Sequence, residues 1–240
     1  MMTSFARAAS STDALSTRLS CLAPLDAPEV RLLAEASQKR RTWPARREII
    51  HEGDPIREHQ ALLSGWACRQ RILSDGRRQI LTFLLPGDLM NVCHHGSPLA
   101  ATTVLAIQDL ITCPLPDAVP SSPLAEAYAR SAALDQHYLY AQVARLGRFN
   151  AYERVADWLL ETSDRLEQVG LSSGHRFALP ITQELLADAL GLTSVHVNRT
   201  LQHLRRDGVL ELRSGTVTLP DRIRLEKVVD YKRARVSADG

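Results

Sequence analysis

The pattern of apolar and polar positions divides the chain into three parts. From about residue 23 to 118, short apolar runs such as RQILTFLL (78–85) and ATTVLAI (101–107) alternate with turns built from Gly, Asp and Pro. Short runs separated by such turns are typical of a β sandwich or barrel. Asp75-Gly76 suits a hairpin turn, because both residues tolerate a positive φ. This part of the chain is therefore predicted to be a β domain.

Apolar positions in the second part recur at three- and four-residue steps. From Pro123 to Arg148 there is no further Pro and a single Gly, so the pattern predicts one long helix that begins after Ser122 as its cap. A second helix is predicted between Asn150 and Gly170. The stripe expected to pack against a partner helix consists of Leu124, Tyr128, Leu134, Tyr138 and Ala141.

The third part, from about residue 177 onwards, predicts two short helices followed by a β-hairpin. Thr182 and Thr193 are candidate caps of the two helices, and Gly191 separates them. Two short strands are expected on either side of Gly215. Helix, tight turn, helix and hairpin in this order predict a winged helix-turn-helix.

The second of these helices has an unusual composition. Residues 194–206 contain three Arg, two His and no acidic residue, whereas the whole chain carries a formal net charge of only +2. A local positive charge of this kind favours binding to DNA phosphates. Arg199 has the donor geometry to recognise a guanine in the major groove, and Asn198 that for an adenine.

Two sets of DNA contacts follow from this prediction. The second helix of a helix-turn-helix places its N-terminal residues against base edges, and flanking residues hold the phosphates. The predicted base contacts are Ser194, Val195, Asn198, Arg199 and Gln202. The predicted phosphate contacts are Thr182, Thr193, His203, Arg205 and Arg206.

Composition excludes several other classes of protein. The chain has 240 residues, of which 45% are hydrophobic, so it is long enough for two packed domains. Its four Cys show no CxxC pair, which favours a reduced, cytoplasmic protein. No apolar run is long enough to span a membrane. Residues 1–22 are expected to form a flexible tail, and residues 1–20, which are rich in Ser, Thr and Ala, would also fit a frayed helix.

Two stretches of sequence resemble those of Crp/Fnr-type transcription regulators. LPITQELLADALGLTSVHVNRTLQHLRRDGVLEL (179–212) resembles their DNA-binding domain. REIIHEGD (47–54) and LLSGWACRQRILSDGRRQILTFLLPGDLMNV (62–92) resemble their sensory domain. The resemblance extends over about residues 25–225, in the order expected for the family.

The resemblance implies an α+β fold with three functional parts. They are an N-terminal double-stranded β-helix (jelly roll) sensory domain (23–118), a dimerisation helix (119–148) and a winged helix-turn-helix domain (149–240). It also implies a homodimer on a palindromic DNA site, with RNA polymerase as a further partner. Arg199 matches the family's usual base-reading arginine, whereas Val195 replaces a frequent glutamate, so the DNA sequence read should differ.

The resemblance also bears on the effector. In members that bind cyclic AMP, a glutamate and a later arginine hold the ribose and the phosphate; here Asp88 and Leu99 stand at those positions. A cyclic phosphate needs a charge-assisted donor, so we expect no control by cyclic AMP, and no cofactor is predicted. The residues of this degenerate effector pocket are Gly87, Asp88, Leu89, Leu99 and Ala100.

Other functions remain open at this point. Cys93, His94 and His95 are competent ligands for haem or a metal, and Cys21 or Cys93 could be a redox-sensing thiol. An iron–sulfur cluster is disfavoured because only Cys21 lies near the N-terminus. A non-DNA-binding interaction module is a further alternative. The usual hydrolase, metalloprotease and nucleotide-binding motifs are absent, so no enzyme is predicted.

Overall fold

A computed structural model describes residues 13–90 and 98–236 of the protein. Its N-terminal half begins with two helices and continues as a set of antiparallel strands. These elements are α1 (Asp13–Leu22), α2 (Ala27–Gln38), β1 (Arg41–Trp43), β2 (Glu48–Ile50), β3 (Gln60–Ser64), β4 (Ala67–Ile72), β5 (Arg78–Leu84), β6 (Leu89–Met90), β7 (Thr103–Ala106) and β8 (Leu110–Pro114).

The strands form the predicted β domain. Within the described residues there are two four-stranded sheets, with the orders β1-β8-β3-β6 and β2-β7-β4-β5. Leu62 of β3 and Leu84 of β5 belong to the same buried cluster, so side chains of both sheets share one core. The hairpin predicted at Asp75-Gly76 connects β4 and β5, and Gly76 adopts the positive φ that the turn requires. The N-terminal jelly roll of the sequence prediction is confirmed.

The prediction of a flexible tail over residues 1–22 is wrong for residues 13–22. These residues form α1, in which Leu15 and Leu19 are fully buried against α2 and the β domain. The segment is rich in Ser and Thr and has only this narrow apolar face. Its helix is therefore stabilised by packing rather than by intrinsic propensity. Residues 1–12 lie outside the described part of the chain.

The C-terminal half begins with the predicted long helix and contains the winged helix-turn-helix. Ser122 caps the first helix as predicted, and its hydroxyl accepts a hydrogen bond from the N–H of Ala125 at 3.2 Å. The elements are α3 (Pro123–Arg148), α4 (Ala151–Glu167), β9 (Arg176–Ala178), α5 (Gln183–Leu190), α6 (Ser194–Arg206), β10 (Glu211–Arg213), β11 (Thr216–Thr218) and α7 (Arg222–Val229).

The stripe of α3 that was assigned to a partner helix faces the inside of the protomer. Leu124, Tyr128, Leu134 and Tyr138 are all less than 10% exposed and pack with residues of α1, and Ala141 is half-buried. That assignment is therefore wrong for the four buried residues. The helix has a second apolar stripe on its exposed side, and the sequence does not reveal which stripe packs within the protomer.

One hydrophobic core continues from the β domain into the C-terminal domain. The ring of Phe83 on β5 lies 6.2 Å from that of Trp66 and 5.4 Å from that of Trp158 on α4, between ring centroids. Residues 155–166 of α4 are buried on every side. Arg78 of β5 also forms an ion pair with Asp188 of α5, at 2.6 Å. The two domains are thus packed against each other along most of α4.

Candidate nucleic-acid interface

Helices α5 and α6 form the helix-turn-helix, and its turn is fixed by backbone geometry. Gly191 ends α5 in the left-handed conformation, with φ 61°, and its N–H donates to the carbonyl oxygen of Ala187. The hydroxyls of Thr182 and Thr193 accept hydrogen bonds from the first turns of α5 and α6, at 3.2 Å in both cases. Both threonines are exposed, so their hydroxyls lie at the surface of the protein.

Helix α6 is held by one buried side and presents the opposite side to solvent. Val197, Leu201 and Leu204 are at most 5% exposed and anchor it in the core. At 100° per residue, the predicted base-contacting residues fall within an arc of about 140° on the other side. Four of them, Ser194, Val195, Arg199 and Gln202, are exposed, and Asn198 is half-buried.

The amides on this exposed surface form a chain of hydrogen bonds. Asn198 donates from Nδ2 to Oε1 of Gln183 at 3.1 Å, and Gln202 donates from Nε2 to Oδ1 of Asn198 at 2.9 Å. Gln183 was not predicted as a site residue, because its contact is made across two helices. The signal available in the sequence was that Gln183 directly follows the cap Thr182 and is therefore the first residue of α5.

The predicted phosphate contacts differ in their surroundings. Arg206 is exposed. Arg205 donates from Nη2 to the carbonyl oxygen of Leu212 on β10 at 2.9 Å, which ties α6 to the hairpin. The ring of His203 lies 5.1 Å from that of Tyr152, and its Nε2 is 3.7 Å from a carboxylate oxygen of Asp207. His203 is therefore partly engaged within the domain.

The hairpin after α6 has the geometry of a wing. Ser214 and Gly215 both adopt positive φ, 48° and 74°, as a two-residue hairpin turn requires. Strand β11 pairs with β10 and also with β9, so the hairpin is part of a three-stranded sheet. Arg213 at the turn is 84% exposed by its side chain. Both α6 and the wing therefore carry exposed basic residues, and Arg205 joins the two elements.

Comparisons with known proteins agree with this arrangement. Residues 153–228 match the Crp-like helix-turn-helix domain family, and residues 40–118 match the cyclic nucleotide-binding domain family. The chain is 30% identical over 181 residues to the transcriptional activator protein FnrL of Cereibacter sphaeroides, a match that covers 72% of each chain. It is also 30% identical to the nitrogen fixation regulation protein FixK of Bradyrhizobium diazoefficiens, with 84% of this chain and 86% of that protein covered.

The chain belongs to the Crp/Fnr family of transcription regulators. A solved structure, FixK2 from Bradyrhizobium japonicum, superposes with a TM-score of 0.69 at 27% identity, covering 82% of this chain and 98% of that chain. The predicted family, the overall fold and the absence of an enzymatic role are confirmed by these relatives, which are regulators.

The residues predicted to form a degenerate effector pocket are not all found at one cleft. A cleft of about 320 Å³ lies between the β domain and α3, and Leu89 and Leu99 line it together with Arg69 and Asp135. Asp88 was predicted to belong to the pocket, but its carboxylate is 1% exposed, does not line the cleft and forms ion pairs with Arg18 and Arg165. The prediction that Asp88 belongs to the same pocket as Leu89 and Leu99 is therefore wrong.

The remaining pocket residues surround the same turn and the neighbouring strand. Gly87 adopts φ +93°, and a Cβ there would lie 3.0 Å from the carbonyl oxygen of Ala14 and 3.1 Å from Cγ1 of Val169. Ala100 is 3% exposed and exchanges backbone hydrogen bonds with Gly53 and Asp54. Leu99 is 60% exposed at the mouth of the cleft. The cleft is thus apolar at its mouth, where the resemblance would place an arginine.

Cys93, His94 and His95 lie outside the described residues. Within residues 13–90 and 98–236, no three His, Cys, Asp or Glu side chains form a group that could hold a metal ion. Cys68 is buried, and burial raises the pKa of its thiol to about 12. Among the described helices, none combines the length and the hydropathy needed to cross a membrane.

Proposed function

We propose that this Crp/Fnr regulator binds a palindromic DNA operator as a homodimer, with one α6 helix in the major groove of each half-site. The observation that carries the proposal is the exposed, acid-free surface of α6, which ends in Arg205 and Arg206. Such a surface is matched to phosphates and to the base edges of the major groove. A module that binds only proteins has no need for a helix of this composition. The cytoplasm, where bacterial DNA lies, is the proposed location.

The exposed stripe of α3 supports the dimer. Leu139, Tyr140 and Val143 are 45%, 64% and 70% exposed, and they are continuous with Ala132 and Gln136 at steps of three and four residues. A helix of 26 residues with one apolar side inside the protomer and another outside has the pattern of a paired helix. Two copies of α3 packed along this stripe would place the two α6 helices on one duplex.

The dimer can be tested by charging this stripe. Replacing Leu139 and Val143 together by Glu should convert the dimer into a monomer in analytical ultracentrifugation and strongly reduce operator affinity. The control is Leu73→Glu, because Leu73 is also an exposed apolar residue, at 41%, but lies in the β4–β5 hairpin and not on α3. A dimer that persists in the double variant would contradict the role of this stripe.

The DNA-binding role is tested at Arg199. The operator is first selected from random duplexes with the unaltered protein, and affinity is then measured at several salt concentrations. Arg199→Ala should cost about 1–3 kcal/mol on the selected site and relax the base preference at one position. Arg41→Ala is the control, since Arg41 is an exposed arginine of the β domain. A loss well below about 1 kcal/mol would rule out a bidentate contact.

We also propose that cyclic AMP does not control this protein. The cleft has Leu99 at its mouth, where the resemblance places the phosphate-binding arginine, and the cation that lines it, Arg69, lies beside the carboxylate of Asp135. Addition of cyclic AMP should leave both the melting temperature and the operator affinity unchanged. A rise of several degrees at millimolar nucleotide would show specific binding and overturn the proposal.

Contact with RNA polymerase is proposed from the relatives alone. FnrL is named as a transcriptional activator. In a reconstituted transcription assay on a promoter with the selected operator, the protein should change transcript yield, and Arg199→Ala should abolish this change.

A further inference from the structure

A set of buried charges connects the β domain with the first helix of the winged helix-turn-helix domain. Asp88 follows β5 in the turn Pro86-Gly87-Asp88, and its Oδ2 lies 2.6 Å from Nη2 of Arg165 on α4. Its Oδ1 lies 3.2 Å from Nη1 of Arg18 on α1. The side chains of Asp88, Arg165 and Arg18 are 1%, 5% and 2% exposed, respectively. We refer to Arg18, Asp88 and Arg165 as the Asp88 clasp.

Arg165 belongs to the DNA-binding domain, yet most of its contacts lie outside that domain. It donates from Nη2 to the carbonyl oxygen of Phe83 on β5 at 2.9 Å. Its guanidinium lies 4.7 Å from the ring centroid of Tyr138 on α3, as in a cation–π contact. Within its own helix, Arg165 pairs with Glu161 at 3.4 Å. One side chain of α4 therefore contacts β5, the turn that follows it, and α3.

The arrangement is specific for a carboxylate at position 88. Burial alone would raise the pKa of Asp88, but Arg165, Arg18 and the N–H of Leu85 hold it below its usual value. Two other nitrogens of the Arg18 guanidinium, Nε and Nη2, are buried without a hydrogen-bond partner among the described residues. Among the described residues, Asp88 is the carboxylate that lies within ion-pair distance of Arg18. Removal of this carboxylate would take the direct ion pair from buried Arg18 and leave Arg165 with Glu161 alone.

The backbone at this turn is closely packed against the same helices. A Cβ on Gly87 would lie 3.2 Å from Cβ of Arg18 and 3.1 Å from Cγ1 of Val169, just beyond α4. The turn can therefore approach α1 and the end of α4 only with Gly at position 87. The carboxylate of Asp88 is thus directed between α1 and α4, and not into the cleft that contains Leu99.

Buried ion pairs add little net stability compared with apolar residues, but they restrict the orientation of the elements they join. We propose that Asp88 and Arg165, supported by Arg18, are positioning residues for DNA binding. The Asp88 clasp holds the winged helix-turn-helix domain in one orientation relative to the β domain and α3. In the proposed dimer, this fixes the separation of the two α6 helices. The inference rests on the proposed function, because separation matters only if two half-sites are bound together.

The clasp also gives position 88 a new role. The resemblance assigns this position to a carboxylate that holds the ribose of a bound nucleotide. Here the carboxylate is used to hold two elements of the protein together, which requires no ligand. We expect the DNA-binding orientation to be maintained in the absence of any small molecule.

The test measures how affinity depends on the spacing of the half-sites. The operator selected with the unaltered protein is resynthesised with one or two base pairs added or removed at its centre. Each added pair rotates one half-site by about 35° relative to the other. The full-length protein should bind one spacing much more tightly than the others. Asp88→Asn and Arg165→Met should lose roughly tenfold affinity at that spacing and bind the altered spacings almost equally well.

Two further measurements separate positioning from general stability. Affinity for a duplex with one half-site should stay within about twofold of the unaltered protein in both variants, because α6 itself is unchanged. Arg222→Met is the matched control: it breaks a buried ion pair with Asp164 at 2.6 Å, but both residues lie in the same domain. This variant should lower the melting temperature and keep the spacing preference. If Arg165→Met does not fold, the isosteric variant Asp88→Asn tests the spacing preference by itself.

The outcomes are distinguishable. If the unaltered protein selects no site with two half-sites, the proposed function fails. If it selects one and both clasp variants keep its spacing preference, the Asp88 clasp has no positioning role. If Arg222→Met lost the preference for one half-site spacing to the same extent as the clasp variants, the inference would also be overturned. The effect would then follow from the loss of any ion pair.

Discussion

Asp135 is expected to make the stability of the protein fall as the pH rises. This carboxyl lies on α3, lines the cleft beside Arg69 and is half-buried. Burial, followed by repulsion from Asp88, raises its pKa from 3.8 to about 6, against the attraction of nearby arginines. The folded protein therefore holds this proton at pH values where the unfolded chain has released it. As the pH rises from about 4 to about 6, folding stability is lost.

The size of the effect follows from the shift. A pKa raised from 3.8 to about 6 corresponds to at most about 3 kcal/mol of folding stability. Asp135→Asn removes the titration and keeps the shape of the side chain. The variant should match the original protein near pH 4 and be about 1–3 kcal/mol more stable near pH 8.

Urea unfolding followed by tryptophan fluorescence, at a fixed protein concentration and at several pH values, measures this difference. Asp117→Asn is the control, because Asp117 is exposed on the connection to α3. This variant measures what an Asp→Asn change at an exposed position does by itself. If Asp135→Asn gives the same difference at every pH, or is less stable near pH 8, the carboxyl does not titrate in the way the surrounding residues imply.

Two other predictions concern packing and buried charge. Gly87→Ala should lower the free energy of unfolding by about 1–3 kcal/mol, because its Cβ would press on the backbone of α1 and its φ is strained for alanine; unchanged urea midpoints would contradict the close contact. Arg145→Met should cost about 3–5 kcal/mol, because Asp157 and Glu161 now lie 2.6 Å and 2.7 Å from its guanidinium: Asp157 would lose its ion pair while buried, and Glu161 would keep only Arg165, at 3.4 Å. Adding Asp157→Asn and Glu161→Gln should restore part of the loss, and no recovery would point to lost packing instead.

The elements of the fold were predictable where local signals agree. The boundaries of α3 follow from Ser122 and Pro123, and those of α5 and α6 from Thr182, Gly191 and Thr193, because caps and breakers act over a few residues. The exposed side of α6 was predictable for the same reason, since its core stripe has a clear helical period.

Side-chain partners between distant segments were not predictable. Arg165 and Asp88 are 77 residues apart in the chain, and neither has a neighbour in sequence that reveals the contact. The same holds for Asn198 and Gln183, and for the choice between the two apolar stripes of α3. Such contacts depend on how whole elements pack. A periodic pattern identifies a buried face but not the element that covers it.

The core that joins Phe83 and Trp66 to Trp158 limits how this protein can be divided or recombined. Cutting the chain before α4 would uncover an aromatic surface on both pieces, and each piece would tend to aggregate. A chimera that joins this winged domain to another regulator's β domain would have to reproduce the Phe83 surface. Exchange of α6 residues alone leaves that surface untouched, so altered operator preference is most safely introduced there.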